Sequence, residues 1–201
     1  MLGTITPLGE RARGNRYPVT AGVLVGGAVL GGSFLGVLAW TLITALGVDP
    51  SPSNAVAILL VAAVLAVLVD LRPGAAEHLG LKRQVNDKWV YEFKGWAYGL
   101  GFGVQLGTGV LTVVSSAQIL LALVAASLAP TLELAAFIGG LIGLTRGAPV
   151  LLTRRVSSPD ELMELGRRVE AARLAGHRTV VLGGALVAIL LAMSTLGRSV
   201  G

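Results

Sequence analysis

Residues 96–128 read WAYGLGFGVQLGTGVLTVVSSAQILLALVAASL, 33 residues without one charge. A helix needs only about 20 apolar residues to cross the hydrocarbon of a bilayer. This stretch is longer than that, and it opens with Gly99, Gly101, Gly103, Gly107 and Gly109. Glycines this dense weaken a helix. Unwound backbone is tolerated at membrane depth only where it is buried in protein or lines a wet cavity. The segment therefore either tilts or breaks, and a discontinuous helix is one way membrane proteins build a binding site. Beyond the first glycines, Gln105, Thr108, Thr112, Ser115 and Ser116 fall within an arc of about 100° on a continuous helix, forming one polar stripe.

Outward from this stretch, four more segments are long and apolar enough to span: 17–46, 54–71, 132–152 and 179–196. The expected fold class is all-α, a polytopic transmembrane helix bundle of about five spans in a single integral membrane domain, residues 1–201. Composition agrees. Of the residues, 54% are hydrophobic and 13% charged, against about a quarter charged in soluble domains. The first apolar run follows Arg11, Arg13 and Arg16 but is far longer than the ~7–15 residues of a secretory signal. It reads as a retained first span.

The basic residues sort to one side. Arg11, Arg13 and Arg16 precede the first span; Arg72, Lys82, Arg83, Lys88 and Lys94 lie between the second and third; Arg154, Arg155, Arg167, Arg168, Arg173 and Arg178 lie between the fourth and fifth. Only Arg198 falls on the other side. By the positive-inside rule the amino terminus and both long loops are cytoplasmic and the carboxyl terminus is outside. Arginine exceeds lysine and Ala, Gly, Val and Leu dominate, a composition that fits a bacterial inner membrane protein from a GC-rich genome.

The long loops carry their own signals. Ser158-Pro159-Asp160-Glu161 reads as a helix start with a capping box, and Leu162, Leu165, Val169 and Ala172 recur at helical spacing until Gly176. This predicts a short amphipathic cytoplasmic helix at about 159–174, either lying on the anionic surface or packing beneath the bundle. Trp89, Phe93 and Trp96, with Tyr91 and Tyr98 nearby, read as an aromatic belt where the third segment enters the membrane.

Small residues and isolated charges supply the candidate contacts. Gly22, Gly26, Gly27, Gly31, Gly32 and Gly36 line the first span, and Gly139, Gly140 and Gly143 the fourth; small residues at these spacings let helices approach closely. Arg146 lies inside the fourth span, four residues after Ile142 and three before Pro149, which should kink the helix there. It either snorkels to the interface or meets an internal partner, for which Asp70, at comparable depth in the second span, is the candidate. The polar stripe likewise has two readings, interhelical packing or the path of a small polar solute.

Several classes are excluded. Without cysteine there is no disulfide, thiolate metal site or thiol relay. His78 and His177 are isolated, and no acid, base and nucleophile share a catalytic spacing, so no enzyme activity, metal or cofactor is expected. The net charge of +5 follows topology rather than a nucleic-acid-binding face. The expected partners are the bilayer and either a second copy or another membrane protein.

The first and third segments begin about 79 residues apart, each glycine-rich and each followed by a short connection, a second span and a long basic loop, which suggests a two-span unit used twice. The glycine-rich leading helices, with Gly31-Gly32-Ser33-Phe34-Leu35-Gly36 and Gly101-Phe102-Gly103-Val104-Gln105-Leu106-Gly107, and the stretch Arg146-Gly147-Ala148-Pro149 resemble the cytochrome c biogenesis and DsbD transmembrane family, among the LysE-like small transporters. The resemblance covers about half the chain. That family's intramembrane cysteine pair is missing, and five spans stand where six in inverted halves would be expected. The resemblance thus implies the scaffold without the thiol chemistry. The expected function is a non-enzymatic membrane protein of small-transporter type, with the polar stripe as its path and Arg146 at the inner mouth; the alternative is an accessory subunit of a larger membrane complex.

Overall fold

A computed structural model describes residues 5–48, 51–72, 93–109 and 116–199. Among them every regular element is helical: α1 (Pro7–Ala12), α2 (Tyr17–Ala45), α3 (Pro52–Asp70), α4 (Gly95–Thr108), α5 (Gln118–Ser127), α6 (Leu132–Gly147) continued by a 3-10 stretch (Ala148–Arg155), and α7 (Pro159–Ser199). Four helices are long and apolar enough to cross a membrane: α2, α3, α6 with its 3-10 extension, and α7. The protein is an all-helical bundle suited to a multi-pass membrane location.

The third segment is not one helix. It is divided into α4, of 14 residues, and α5, of 10, each too short to cross alone. Gly109 ends α4 in the left-handed conformation at φ 66°, which a side-chain-bearing residue adopts only at a cost. The polar stripe is therefore divided too. Gln105 and Thr108 lie on α4, whereas Ser116 precedes α5; Thr112 and Ser115 lie outside the described residues.

The centre of the bundle is α2, with α4 and α6 packed against it backbone to backbone. Along α2 and α4, Thr20 meets Gly99, Leu24 meets Gly103 and Ala28 meets Gly107, so the two helices run parallel with one turn of each facing one turn of the other. Along α6 the order reverses: Gly36 meets Ala135, Gly32 meets Gly139 and Ala28 meets Gly143. A Cβ on Gly103, Gly107, Gly139 or Gly143 would collide with a backbone carbonyl of α2. Gly27 and Gly31 face Leu100 and Val104 of α4 in the same way. Ala28, wholly buried, is where all three helices meet.

Gly22 and Gly26 do not take part. No atom lies within 4 Å of where their Cβ would stand, because they occupy the side of α2 turned away from both neighbours. Spacing alone counted them with the packing residues. It could not tell which of several glycine stripes on one helix would be covered.

Outside this core, α3 packs on α7 and reaches the centre through α5. These two helices are thinly covered, with Val61, Leu65, Leu68, Leu182, Leu186 and Met193 all more than half exposed on the chain itself. The helix expected to stop at Gly176 instead runs unbroken for 41 residues, roughly 60 Å at 1.5 Å per residue. Its start is capped as the sequence indicates: Ser157 N donates to Glu161 Oε2 at 2.6 Å and Glu161 N to Ser158 Oγ at 3.2 Å. Gly176 sits within an established helix with nothing packed on it, so no contact forces a stop there. The kink expected at Pro149 takes the form of a change from α to 3-10 geometry at Ala148.

Candidate functional site

The two lips of the interrupted segment each face a charged side chain from another helix. α4 ends level with Ala28, since Gly107 lies against that residue. α5 begins about 15 Å below Ala129, which accepts a hydrogen bond from Trp40 Nε1 at 2.9 Å near the far end of α2. The first lip thus lies in the middle third of α2.

At the first lip, Arg146 of α6 reaches the end of α4. A Cβ on Gly109 would stand 2.9 Å from Arg146 Nη1. Arg146 is one turn beyond Gly143 on a helix locked to α2, and this fixes its height. The carbonyl end of a helix carries partial negative charge. A half-buried guanidinium there complements that charge.

At the second lip, Asp70 closes the start of α5. It is 3% exposed. Its Oδ1 accepts from Ala117 N at 2.8 Å, and its Oδ2 accepts from Ser116 Oγ at 2.7 Å and Gln118 Nε2 at 3.3 Å. Ser116 Oγ in turn accepts from Gln118 N at 3.1 Å. The free N–H groups at a helix start carry partial positive charge. A carboxylate supplied by α3 therefore stands where an anion is best placed. Gln118 is held from behind by α7, where a Cβ on Gly184 would come within 2.6 Å of its Nε2.

Sequence reasoning left Arg146 two readings, snorkelling to the interface or an internal partner with Asp70 as the candidate. The structure instead gives the Asp70 oxygens to Ser116, Ala117 and Gln118, and sets Arg146 at the other lip beside Gly109. Asp70 thus caps a helix start, while Arg146 stands beside a helix end. Of the stripe, Thr108 returns its hydroxyl to Val104 O and Gln105 O, both at 3.1 Å, while Gln105 is half-buried.

A second polar cluster lies at the end where α2 and α4 begin. Glu10 of α1 is wholly buried. Its carboxylate accepts from Thr20 Oγ1 at 2.8 Å and from the Tyr98 hydroxyl, and it pairs with Arg13 Nη2 at 2.5 Å. The Arg13 guanidinium also lies 6.0 Å from the Tyr98 ring centre. Burial acts to lower the Arg13 pKa, but Glu10 and Tyr98 more than offset it and the net direction is upward. Nearby, Thr153 Oγ1 donates to Ile5 O at 3.0 Å, and the Tyr17 hydroxyl donates to Val150 O at 2.8 Å. These bonds tie α1 and the 3-10 stretch to the foot of α2.

Glu10, Thr20 and Thr153 were missed from sequence. Glu10 stands among arginines and reads as part of a solvated topological flank; the available signal was Thr6-Pro7, which marks a helix start and hence an ordered segment. Tyr98 was assigned to the aromatic belt. It is fully buried against Phe102, whereas Phe93 and Trp96 are more than half exposed, as a belt requires.

Compared with known proteins, the chain matches no family model, no curated protein and no solved structure.

Proposed function

We propose that the chain is a multi-pass membrane protein of small-transporter type whose interrupted third segment is the solute-contacting element. The observation that carries this reading is the pair of helix ends in mid-bundle, each complemented by an intramembrane charge, Arg146 beside Gly109 and Asp70 at Ala117. Ionisable residues within a membrane protein mark ion and substrate paths more often than they serve lipid-facing structure. Paired half-helices are the device by which backbone groups are exposed to a solute at depth. Of the polar stripe, Gln105 and Thr108 lie in the last turn of α4 and Ser116 just before α5.

With α4 and α5 together counted as one crossing, the spans number five. The distribution of arginine and lysine supports an amino terminus and a start of α7 on the cytoplasmic side, and we read the membrane as a bacterial inner membrane. The resemblance to the cytochrome c biogenesis scaffold supports the same reading, as a permease without thiol chemistry.

The alternative, an accessory subunit, draws its support from α3 and α7, whose apolar faces are little covered by the chain itself. Purification in gentle detergent followed by mass spectrometry of everything retained separates the two. A lone protein carrying a small polar solute is the expected result. A stoichiometric protein partner and no solute would overturn the transport reading in favour of the accessory one.

A further inference from the structure

We propose that the end of the bundle where α2 and α4 begin is a docking surface for anionic phospholipid headgroups, built by Arg16, Lys94, Arg154 and Arg155 with Arg11 of α1 beside them. The inference rests on the membrane location of the helices and not on transport.

Separate stretches of chain supply these cations, and hydrogen bonds bring them together. Asn15 Oδ1 accepts from Gly95 N at 3.2 Å, so the residues beside them, Arg16 and Lys94, stand at neighbouring helix starts. Thr153 Oγ1 lies 3.3 Å from the Tyr17 hydroxyl and donates to Ile5 O at 3.0 Å. Arg154 and Arg155 follow Thr153 directly, and Arg16 precedes Tyr17. Glu10, next to Arg11, accepts from Thr20 Oγ1 at 2.8 Å. Consecutive Cα atoms are about 3.8 Å apart, so each cation is rooted one or two residues from a bond that ties this end of the bundle together.

The protein's own acids do not offset this charge. All five cations are exposed, and among the described residues no carboxylate forms an ion pair with any of them. Glu10 is wholly buried, with its oxygens taken by Arg13, Thr20 and Tyr98. Glu161, six residues beyond Arg155, accepts from Ser157 N and Oγ at 2.6 and 2.8 Å, and Asp160 is the single acid between the two in sequence. Helix stability does not account for the cations either. Arg16 and Lys94 are the N-cap residues of α2 and α4, where a positive charge opposes the helix dipole.

Apolar side chains at the same end decide which anion fits. Phe93 and Trp96 flank Lys94, and both are exposed, as are Leu8 of α1 and Val19 of α2. From this level α2 and α4 run side by side into the bundle. Exposed aromatics beside cations suit a bilayer interface, where rings sit among the headgroups and Lys and Arg meet the phosphates. A water-soluble anion would leave those four apolar side chains in water. Toward the other end of α2, residues 37–48 contain no Lys or Arg, so along this helix the attraction is confined to one leaflet.

The test is native mass spectrometry of the full-length protein in detergent, titrated with dioleoyl phosphatidylglycerol and, separately, with dioleoyl phosphatidylcholine. Each Lys or Arg near an anionic surface contributes roughly fivefold to affinity. Wild type is expected to prefer phosphatidylglycerol, and R154Q/R155Q to lose about fivefold or more of that affinity. R167Q/R168Q removes the same charge from α7, where both arginines pair with Glu164, and should bind as wild type does. Should R154Q/R155Q not fold, K94Q carries the same expectation of loss. Equal binding of the two lipids by wild type, or undiminished affinity in the variant that folds, would overturn the proposal. An equal loss in R167Q/R168Q would overturn it too, by reducing the effect to net charge. Inorganic phosphate in excess should not displace the lipid; displacement would make this a free-anion site and overturn the assignment to headgroups. Since no solute enters the experiment, its failure leaves the transport reading standing, and the failure of that reading does not decide this one.

Discussion

Two parts of the bundle solve the problem of packing in a membrane in different ways. In α2, α4 and α6 the helices touch through backbone: Gly107 and Gly143 both lie on the carbonyl of Ala28, and nothing larger than hydrogen fits between. In α3 and α7 the contact is thin, apolar side chains face outward, and Gly183 has no atom within 4 Å of its missing Cβ. Lipid is as apolar as leucine, so burial alone does not drive helices together in a bilayer; close approach does. The contrast is between backbone-to-backbone packing in the first group and faces the chain itself leaves uncovered in the second. It also places the break at the seam, with Arg146 rooted in the closely packed core and Asp70 in the less covered pair.

The largest expected effect comes from filling the core. Gly143→Val should cost about 4 kcal/mol or more, because helix must separate from helix, and should abolish a monodisperse species by size exclusion. Gly183→Val, the same change on the less covered pair, should leave the elution and the melting temperature unchanged. If both variants behaved alike, the distinction between the two regions would fail.

Next comes the buried cluster that fastens α1 to the core. Glu10→Ala removes the acceptor shared by Arg13, Tyr98 and Thr20, and should lower stability by about 2–4 kcal/mol through the two buried hydroxyls, read as a drop in the thermal midpoint in detergent. A loss much smaller than this would mean that α1 is dispensable to the core. Trp40→Phe is a smaller perturbation. It removes one hydrogen bond to Ala129 O, with an expected cost of about 0.5–1.5 kcal/mol by the same melt. Leu186→Ala, on the exposed face of α7, should stay within about 0.5 kcal/mol of wild type. A larger loss would show that this face is covered in the assembled protein.

The spans themselves were legible from sequence because apolar run length is a one-dimensional signal. The expected segments at 17–46 and 54–71 differ by no more than two residues at either end from α2 and α3. The interruption of the third segment was legible as a pair of alternatives, since five glycines weaken a helix wherever they fall; that Gly109 is the one that turns left-handed is a property of the tertiary fold. Gly22 and Gly26 show the limit of spacing rules, which find a stripe of small residues but not the helix that covers it. Asp70 and Arg146 stood out because charges inside apolar runs are conspicuous. Their relation stayed open between snorkelling and an internal pair because sequence gives depth along a helix but no direction around the bundle. Glu10 was invisible for the opposite reason, a charge among charges whose burial only the tertiary fold reveals. The continuation of α7 through Gly176 belongs with these, because one glycine without a competing contact does not end a long helix.

The central proposal is that water reaches the end of α4, which stops beside Arg146, and the start of α5, which Asp70 caps. The absence of native cysteine makes single-cysteine labelling of the membrane-embedded protein the most direct test, with Thr108→Cys at the first lip and Leu186→Cys as the lipid-facing control. The expected result is modification of the Thr108 variant by a membrane-impermeant, water-soluble thiol reagent, with the control protected. Protection of both to the same degree would mean that no water reaches the end of α4, and would contradict the account.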